Sequence, residues 1–304
     1  MLQRRVRFSL ADLVTSGAAG LLLVAGALAG VPKAAPGHFA MVAAAFLLPF
    51  AFAALRGRQP GHGSLLGTVA EFGPILPLLL VFDSLGPFIV ATSSVDRDPF
   101  LAAADRLLFG GADPTRLLEP LMGPLLLEVL TVCYVLYYFH PIVLGALLWR
   151  DDVREKTPGL RFPGYVFGML LVFYVSYAGY FLVPAIGPRF TIAHDGPLPR
   201  GAIARTIDET LDRLETNRRN CFPSGHTMVT IAVLVEAGRR SRKTFLGFFP
   251  FALGLVLATV AGRYHYVVDV VAGIVLAVVV DVASRAVVRR TPQEPDGTVL
   301  ATSR

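Results

Sequence analysis

Long apolar runs, each closed by a short basic or Gly/Pro-containing break, restrict this chain more than any other feature. They cover residues 13–31, 38–55, 65–85, 122–149, 162–183, the stretch from Pro223 to the basic turn at 239–243, 245–261 and 266–288. At 1.5 Å per residue, about 20 such residues cross roughly 30 Å of hydrocarbon. Lipid offers backbone amides no partner, so a spanning run must satisfy its own, which makes it a helix. The expected fold is therefore all-α and integral to a membrane: about eight transmembrane helices forming a bundle, with further helices lying in the outer interface. Only 16% of the residues are charged, against about 25% in soluble domains, which excludes a soluble class. The net charge of +6 sits in short clusters between apolar runs, where it sets membrane orientation, so nucleic acid is not an expected partner.

Eight spans put both termini and the turns near residues 56, 150 and 240 on one side. These segments carry most of the 28 lysines and arginines, so that side is cytoplasmic. The protein is expected to be multi-pass in the cell membrane, with its polar loops near residues 189, 226 and 265 extracytoplasmic. Residues 1–95 hold the first three helices. Residues 96–121 break into segments at 99–109 and 113–121, too polar to span and too apolar to leave the membrane, and so interfacial. Residues 122–288 form the functional core, and 289–304 a disordered cytoplasmic tail. The first run has a rival reading, a signal peptide cleaved after Ala27-Leu28-Ala29. Ile203, Ile207, Leu211 and Leu214 recur at helical spacing, predicting an amphipathic helix that lies on the bilayer or caps a site, with Glu209 and Arg213 paired at i, i+4. Cys133 falls in an apolar run and Cys221 in a polar loop, so no disulfide framework is expected.

Within the core, Cys221-Phe222-Pro223-Ser224-Gly225-His226-Thr227 joins a charged loop to an apolar run. Pro223 suits a first helical turn and Ser224 can cap it. The free amides there, with the helix dipole, form an anion site. Two apolar runs later comes Arg263-Tyr264-His265-Tyr266-Val267-Val268-Asp269, so if both runs cross the bilayer, His226 and His265 return to one face. His265 and Asp269 are i and i+4, so the carboxylate can hold one ring nitrogen and leave the other as nucleophile or base. A lone interfacial histidine is often a mere anchor, but a pair at two helix ends, one beside an aspartate, reads as a site. Arg189, after Gly187-Pro188, and Arg263 are candidate phosphate ligands because a guanidinium fork matches phosphate oxygens; the alternative for Arg189 is snorkelling to headgroups. Glu71, Glu128 and Asp281 either pair inside the bundle or touch a headgroup. The spacing of acidic, Cys and His residues offers no metal constellation, and no cofactor is expected.

At these residues the chain resembles the type 2 phosphatidic acid phosphatase superfamily, which includes lipid phosphate phosphatases and vanadium haloperoxidases. Pro223-Ser224-Gly225-His226 matches its middle motif, and His265 with Asp269 the end of its last motif. The resemblance implies that His265 attacks phosphorus to give a phosphohistidine, that Asp269 orients it, and that His226 protonates the leaving oxygen. Ser224, Gly225, Arg189 and Arg263 would bind the phosphate. The chain departs from the family twice: Leu182 stands where a lysine precedes Arg189 by seven residues, and Thr259 where an arginine precedes His265 by six. With Tyr137-Tyr138-Phe139-His140-Pro141 and the 183–190 segment, these departures resemble the inositol phosphorylceramide synthase branch, whose members pass the phosphoryl group to an alcohol. The Ser-Gly-His of the middle motif is instead that of the hydrolases.

The sequence thus points to a membrane lipid phosphatase acting on a lipid phosphate at the extracytoplasmic face. The alternatives are a phosphotransferase to an alcohol and, from another class, a transporter or non-catalytic lipid binder; the oligomeric state is left open. A cysteine introduced at Asp195 is expected to react with an impermeant thiol reagent in intact cells. Labelling only after lysis would invert the orientation.

Overall fold

The computed structural model describes residues 6–58, 64–155, 161–214, 217–292 and 299. Its helices are α1 (Leu10–Leu28), α2 (Val31–Ala34), α3 (Pro36–Arg56), α4 (Leu65–Phe72), α5 (Ile75–Thr92), α6 (Asp98–Leu108), α7 (Pro114–Leu118), α8 (Pro124–Val135), α9 (His140–Glu155), α10 (Arg161–Leu182), α11 (Pro188–Thr191), α12 (Ala202–Leu214), α13 (Gly225–Arg240), α14 (Arg242–Ala261) and α15 (Val267–Arg290). Among the described residues there is no β-strand, so the all-α expectation holds. The protein is a multi-pass membrane protein. Among the described residues six segments, with α4 and α5 counted as one, are long and apolar enough to cross a membrane, or seven if α8 and α9, bent by 48° at the 3₁₀ turn Leu136–Tyr138, act as one span. That bend replaces the single long run expected over 122–149. α13 has 16 residues and a rise of about 24 Å, short of a full span, so the count differs from the eight expected from sequence. Most of the tail expected to be disordered lies outside the described residues, though α15 itself extends to Arg290.

The chain divides into two compact units: Met1–Thr92, Gly145–Tyr174 and Val280–Arg304 form one, Ser93–Leu144 and Val175–Val279 the other. In the first, α1 packs on α3 and α3 on α5. Leu21, Val24, Leu28 and Leu47 stay exposed, as lipid-facing positions must. α1 starts on a capping box in which Ser9 and Asp12 exchange side-chain and backbone hydrogen bonds. Asp12, fully buried, pairs with Arg56 from the end of α3, and Arg56 also donates to the Ala70 carbonyl at 2.6 Å. The lone carboxylates find protein partners within their own units. Glu71 accepts from the Trp149 indole, and Asp281 faces Arg285 at 3.5 Å.

The second unit is built on α14, which packs against both α13 and α8. The amphipathic segment forms α12 as expected, with Glu209 and Arg213 3.9 Å apart on its exposed side. Its buried stripe differs from the sequence reading: Ala204 and Asp208 face inward, while Ile203 is 58% exposed. The reason is polar: Glu128 of α8 accepts from the Ile203 and Ala204 amides at 3.2 and 2.8 Å, and Asp208 meets Arg200 and the Tyr264 hydroxyl. These bonds set the rotation of α12, and its apolar residues follow.

Asp12→Ala would strand the buried Arg56 guanidinium. Removing one partner of such a pair costs about 3 kcal/mol, so the thermal midpoint in detergent is expected to fall by several degrees, while Ser16→Ala nearby leaves it within error.

Candidate active site

Every residue singled out from the sequence for chemistry lies in the second unit. α14 ends in a Schellman closure: the Tyr264 amide donates to the Thr259 carbonyl at 3.0 Å and the Arg263 amide to Val260 at 2.9 Å. Such a closure puts its central residue in the left-handed region, usually as glycine; here it is Arg263, at φ 64°, which costs of order 1 kcal/mol. The turn delivers His265, whose amide also bonds the Thr259 carbonyl at 3.0 Å, to the start of α15. Gly187 sits against the same turn at φ 95°, where a Cβ would lie 2.6 Å from the Tyr264 carbonyl oxygen. Glycine is therefore required before Pro188-Arg189.

His265 is 4% exposed, and its Nδ1 faces Oδ2 of the fully buried Asp269 at 3.5 Å. The same oxygen accepts from the Tyr266 amide at 3.1 Å and from the Cys221 thiol at 2.8 Å. Burial first, then the neighbouring Asp269 carboxylate, pushes the Cys221 thiol well up, so it stays a protonated donor. Asp269 Oδ1 is buried with no hydrogen-bond partner among the described residues. The middle motif is tied to this pair through its backbone, since the Ser224 amide donates to the Asp269 carbonyl at 3.3 Å. Ser224 caps α13 by accepting from the Thr227 amide at 3.3 Å, as the sequence predicts. His226 stands one residue into the helix, its ring centroid 5.7 Å from that of His265. Its ring is packed between Tyr134 at 4.5 Å and Tyr137 at 4.3 Å, and its Nε2 has no hydrogen-bond partner among the described residues.

The two arginines are placed differently. Arg189 donates its backbone amide to the Arg263 carbonyl at 2.8 Å, but its guanidinium forks onto Asp212 of α12 at 2.9 and 2.8 Å. Arg263 reaches the Gly196 carbonyl at 2.8 Å and Glu119 at 3.0 Å. Both are near the histidine turn in backbone terms, and both forks are held by carboxylates that sequence reasoning missed. Asp212 lies on α12 and Glu119 in the segment before α8, each far from its arginine in sequence, so local spacing carried no signal for either pair. The two departures from the family motif also find their places: Leu182 is 78% exposed at the end of α10, while Thr259 is fully buried with its hydroxyl on the Val256 carbonyl.

Sequence spacing showed no metal ligands, yet folding brings Cys221 Sγ, His265 Nδ1 and Asp269 Oδ2 within 4.8 Å of one another. Separations of 44 and 48 residues hid the cluster. These atoms are chemically able to hold a soft divalent ion, and in this arrangement the thiol donates to Asp269 Oδ2 instead. Both cysteines are free.

Residues 101–283 match the family model described as the PAP2 superfamily. The chain belongs to the PAP2 superfamily. A PA-phosphatase related-family protein of Dictyostelium discoideum is 25% identical over 177 residues, covering 51% of this chain and 31% of the relative. The chain thus spans about a third of the length of that relative. No solved structure matches. PAP2 membership supports a phosphatase or phosphotransferase type of activity, and the matched region contains Asp105, Arg189, the Ser224 to His226 motif, His265 and Asp269.

Cys221→Ser keeps a donor to Asp269 and is expected to retain activity within a few-fold, whereas Cys221→Ala removes it and should cost about tenfold, the worth of one hydrogen bond to a charged group. The native thiol, buried and protonated, should resist iodoacetamide until the protein is unfolded; rapid alkylation of the folded protein would contradict its assignment as a donor.

Proposed function

We propose that this protein is a membrane lipid phosphatase that hydrolyses a lipid phosphate monoester at the extracytoplasmic face by double displacement through phospho-His265. The observation that carries the reading is the pairing of two histidine rings 5.7 Å apart, one with Nδ1 turned to a buried carboxylate and the other with an unpartnered buried Nε2. With Nδ1 facing Asp269, Nε2 of His265 is the nitrogen left to attack phosphorus. As the N–P bond forms, the ester P–O bond breaks and its alkoxide takes a proton from His226. Neutral His226 then accepts a proton from water, which attacks phosphorus as the P–N bond breaks and releases inorganic phosphate.

Asp269 stabilises the charge that builds on the attacking ring, as the carboxylate does in other His–carboxylate pairs. In the first turn of α13 the Thr227 amide is taken by the Ser224 hydroxyl, and the Gly225 and His226 amides, which have no intrahelical acceptors, supply donors to the phosphate oxygens, with Ser224 and Gly225 shaping that turn. At Gly225 an added Cβ would lie 2.5 Å from the Tyr180 hydroxyl, so the backbone can approach closely only as glycine. Arg189 binds the phosphate by exchanging the Asp212 carboxylate for two phosphate oxygens, an exchange of like for like on the same fork. Arg263 adds positive charge from the turn. Phosphorus is thus activated by guanidinium groups and amides.

A second reading, transfer to an alcohol, draws support from Tyr134 and Tyr137, which flank the proposed acid–base His226. Aromatic walls there limit water and suit an organic acceptor. Purified protein given phosphatidic acid or polyprenyl phosphates, with and without inositol or glycerol, separates the two by whether free phosphate or a new phosphodiester accumulates. A non-catalytic binder would yield neither.

His265→Ala is expected to abolish phosphoenzyme with every substrate. His226→Ala is expected to lose about 10²- to 10⁴-fold on alkyl esters and much less on p-nitrophenyl phosphate, whose leaving group barely needs a proton. Turnover should survive EDTA, and vanadate should inhibit. Substantial activity in His265→Ala with none in His226→Ala, even on the activated ester, would reverse the two roles.

A further inference from the structure

α6 is inverted relative to a helix that shows its charges to water. Leu107 is 85% exposed and Phe100 67%, while Asp98 and Asp105 are 2% and 1% exposed. The two carboxylates, seven residues apart, share one face two turns apart. Asp98 accepts from the Ile186 amide at 2.9 Å, the Gly187 amide at 2.8 Å and the Tyr266 hydroxyl at 3.0 Å. Asp105 accepts from the Val267 and Val268 amides, both at 2.8 Å. Between them Leu101 and Ala102 pack on Ala185, Cys221 and Tyr266. One face of α6 therefore touches the loop leading into Arg189, the cysteine that donates to Asp269, and the three residues that follow His265.

The Asp105 contacts carry a further consequence. Val267 and Val268 open α15, and unpaired first-turn amides with the helix dipole attract anions. Asp105 fills that place with an internal carboxylate, two and three residues past His265, so the start of α15 is closed to phosphate while the start of α13 is not.

We propose that Asp98 and Asp105 are positioning residues of the active site: α6 sets the distance between the Arg189 loop and the His265 turn, and Asp105 holds the nucleophile's helix while directing the substrate phosphate to α13. The proposal rests on the reading of His265 as the nucleophile.

The test uses the full chain in detergent, with Asp105→Asn and Asp98→Asn compared for kcat, KM, vanadate inhibition and thermal unfolding. Asparagine keeps the size but offers one acceptor oxygen and an NH₂ group to a site of N–H donors. Asp105→Asn is expected to lower kcat per folded molecule about 10²-fold, the order expected for a displaced reacting group. The factor should be the same for phosphatidic acid and p-nitrophenyl phosphate, because placement of the nucleophile does not depend on the leaving group. Asp98→Asn is expected to raise KM and weaken vanadate inhibition by about tenfold through the Arg189 loop. Leu107→Ala, on the exposed face, should leave all four readouts unchanged.

Wild-type kcat in folded Asp105→Asn overturns the proposal, as does a loss that scales with the leaving group. Loss of folded protein in both Asn variants, with normal kcat in whatever remains folded, makes the carboxylates purely structural and overturns it too. If His265→Ala is inactive and Asp105→Asn is normal, only this proposal fails. If His265→Ala retains turnover, the underlying reading fails.

Discussion

The Asp269 carboxylate is the constraint on which the site depends. It is fully buried, and a buried carboxylate is tolerated only where donors replace its lost hydration. The donors are the Cys221 thiol and the Tyr266 amide, with His265 Nδ1 facing the same oxygen. They come from the loop before α13 and from the turn between α14 and α15, so satisfying one charge ties both segments to the start of α15. The bond from the Ser224 amide to the Asp269 carbonyl extends the same register to the cap of α13. The spacing of the two histidines follows from these bonds.

Around that centre the second unit handles its cations in a uniform way. Arg189 is held by Asp212, Arg200 by Asp208 and Arg263 by Glu119. Of these only the Arg189–Asp212 pair is substantially exposed, and a pair of that kind contributes little to stability, which suits a site whose ligand is an anion. A guanidinium already resting on a carboxylate is aligned for two oxygens, and exchanging it costs less than ordering a free arginine side chain from water. The Arg189 and Asp212 side chains are 30% and 47% exposed, so the fork is open to exchange. The Arg263 side chain is 10% exposed and braces the strained turn, and it is the less available of the two.

Much of this was legible in the sequence, for identifiable reasons. Hydropathy located the long helices because length and apolarity are local properties, and the Ser224 cap was visible because capping is read from a few adjacent residues, although Pro223, expected in the first helical turn, instead precedes the cap. The His265 and Asp269 pair was visible because both lie within one helical turn. Three things were not. The break at Leu136–Tyr138 carries no glycine or proline of its own, and only the helices on either side reveal the 48° bend. Cys221 looked like an ordinary loop residue because its partner stands 48 positions away. Asp98 and Asp105 did not stand out, because nothing local separates them from the other charges of the interfacial segment. Amphipathicity gives the polar face of a helix but not whether that face meets water or an arc of backbone amides. The same ambiguity misled the reading of α12, where the bonds made by Glu128 and Asp208 override the apolar stripe.

The two histidines are fixed by different physical means, and the difference matches the roles proposed for them. His265 is oriented by the Asp269 carboxylate facing its Nδ1, which fixes the tautomer, leaves the lone pair on the other nitrogen and suits a group that must share an electron pair. His226 is oriented by packing, between the rings of Tyr134 and Tyr137, with Tyr134 stacked in turn on Tyr264 at 4.6 Å. Stacking fixes the plane of an imidazole without engaging its nitrogens, so neither tautomer is imposed and a proton can be given and taken in successive steps. A carboxylate on His226 would favour the protonated ring and slow release of the proton to the leaving oxygen, whereas packing alone at His265 would leave the attacking nitrogen undefined. Each ring is held by the kind of contact its chemistry can tolerate.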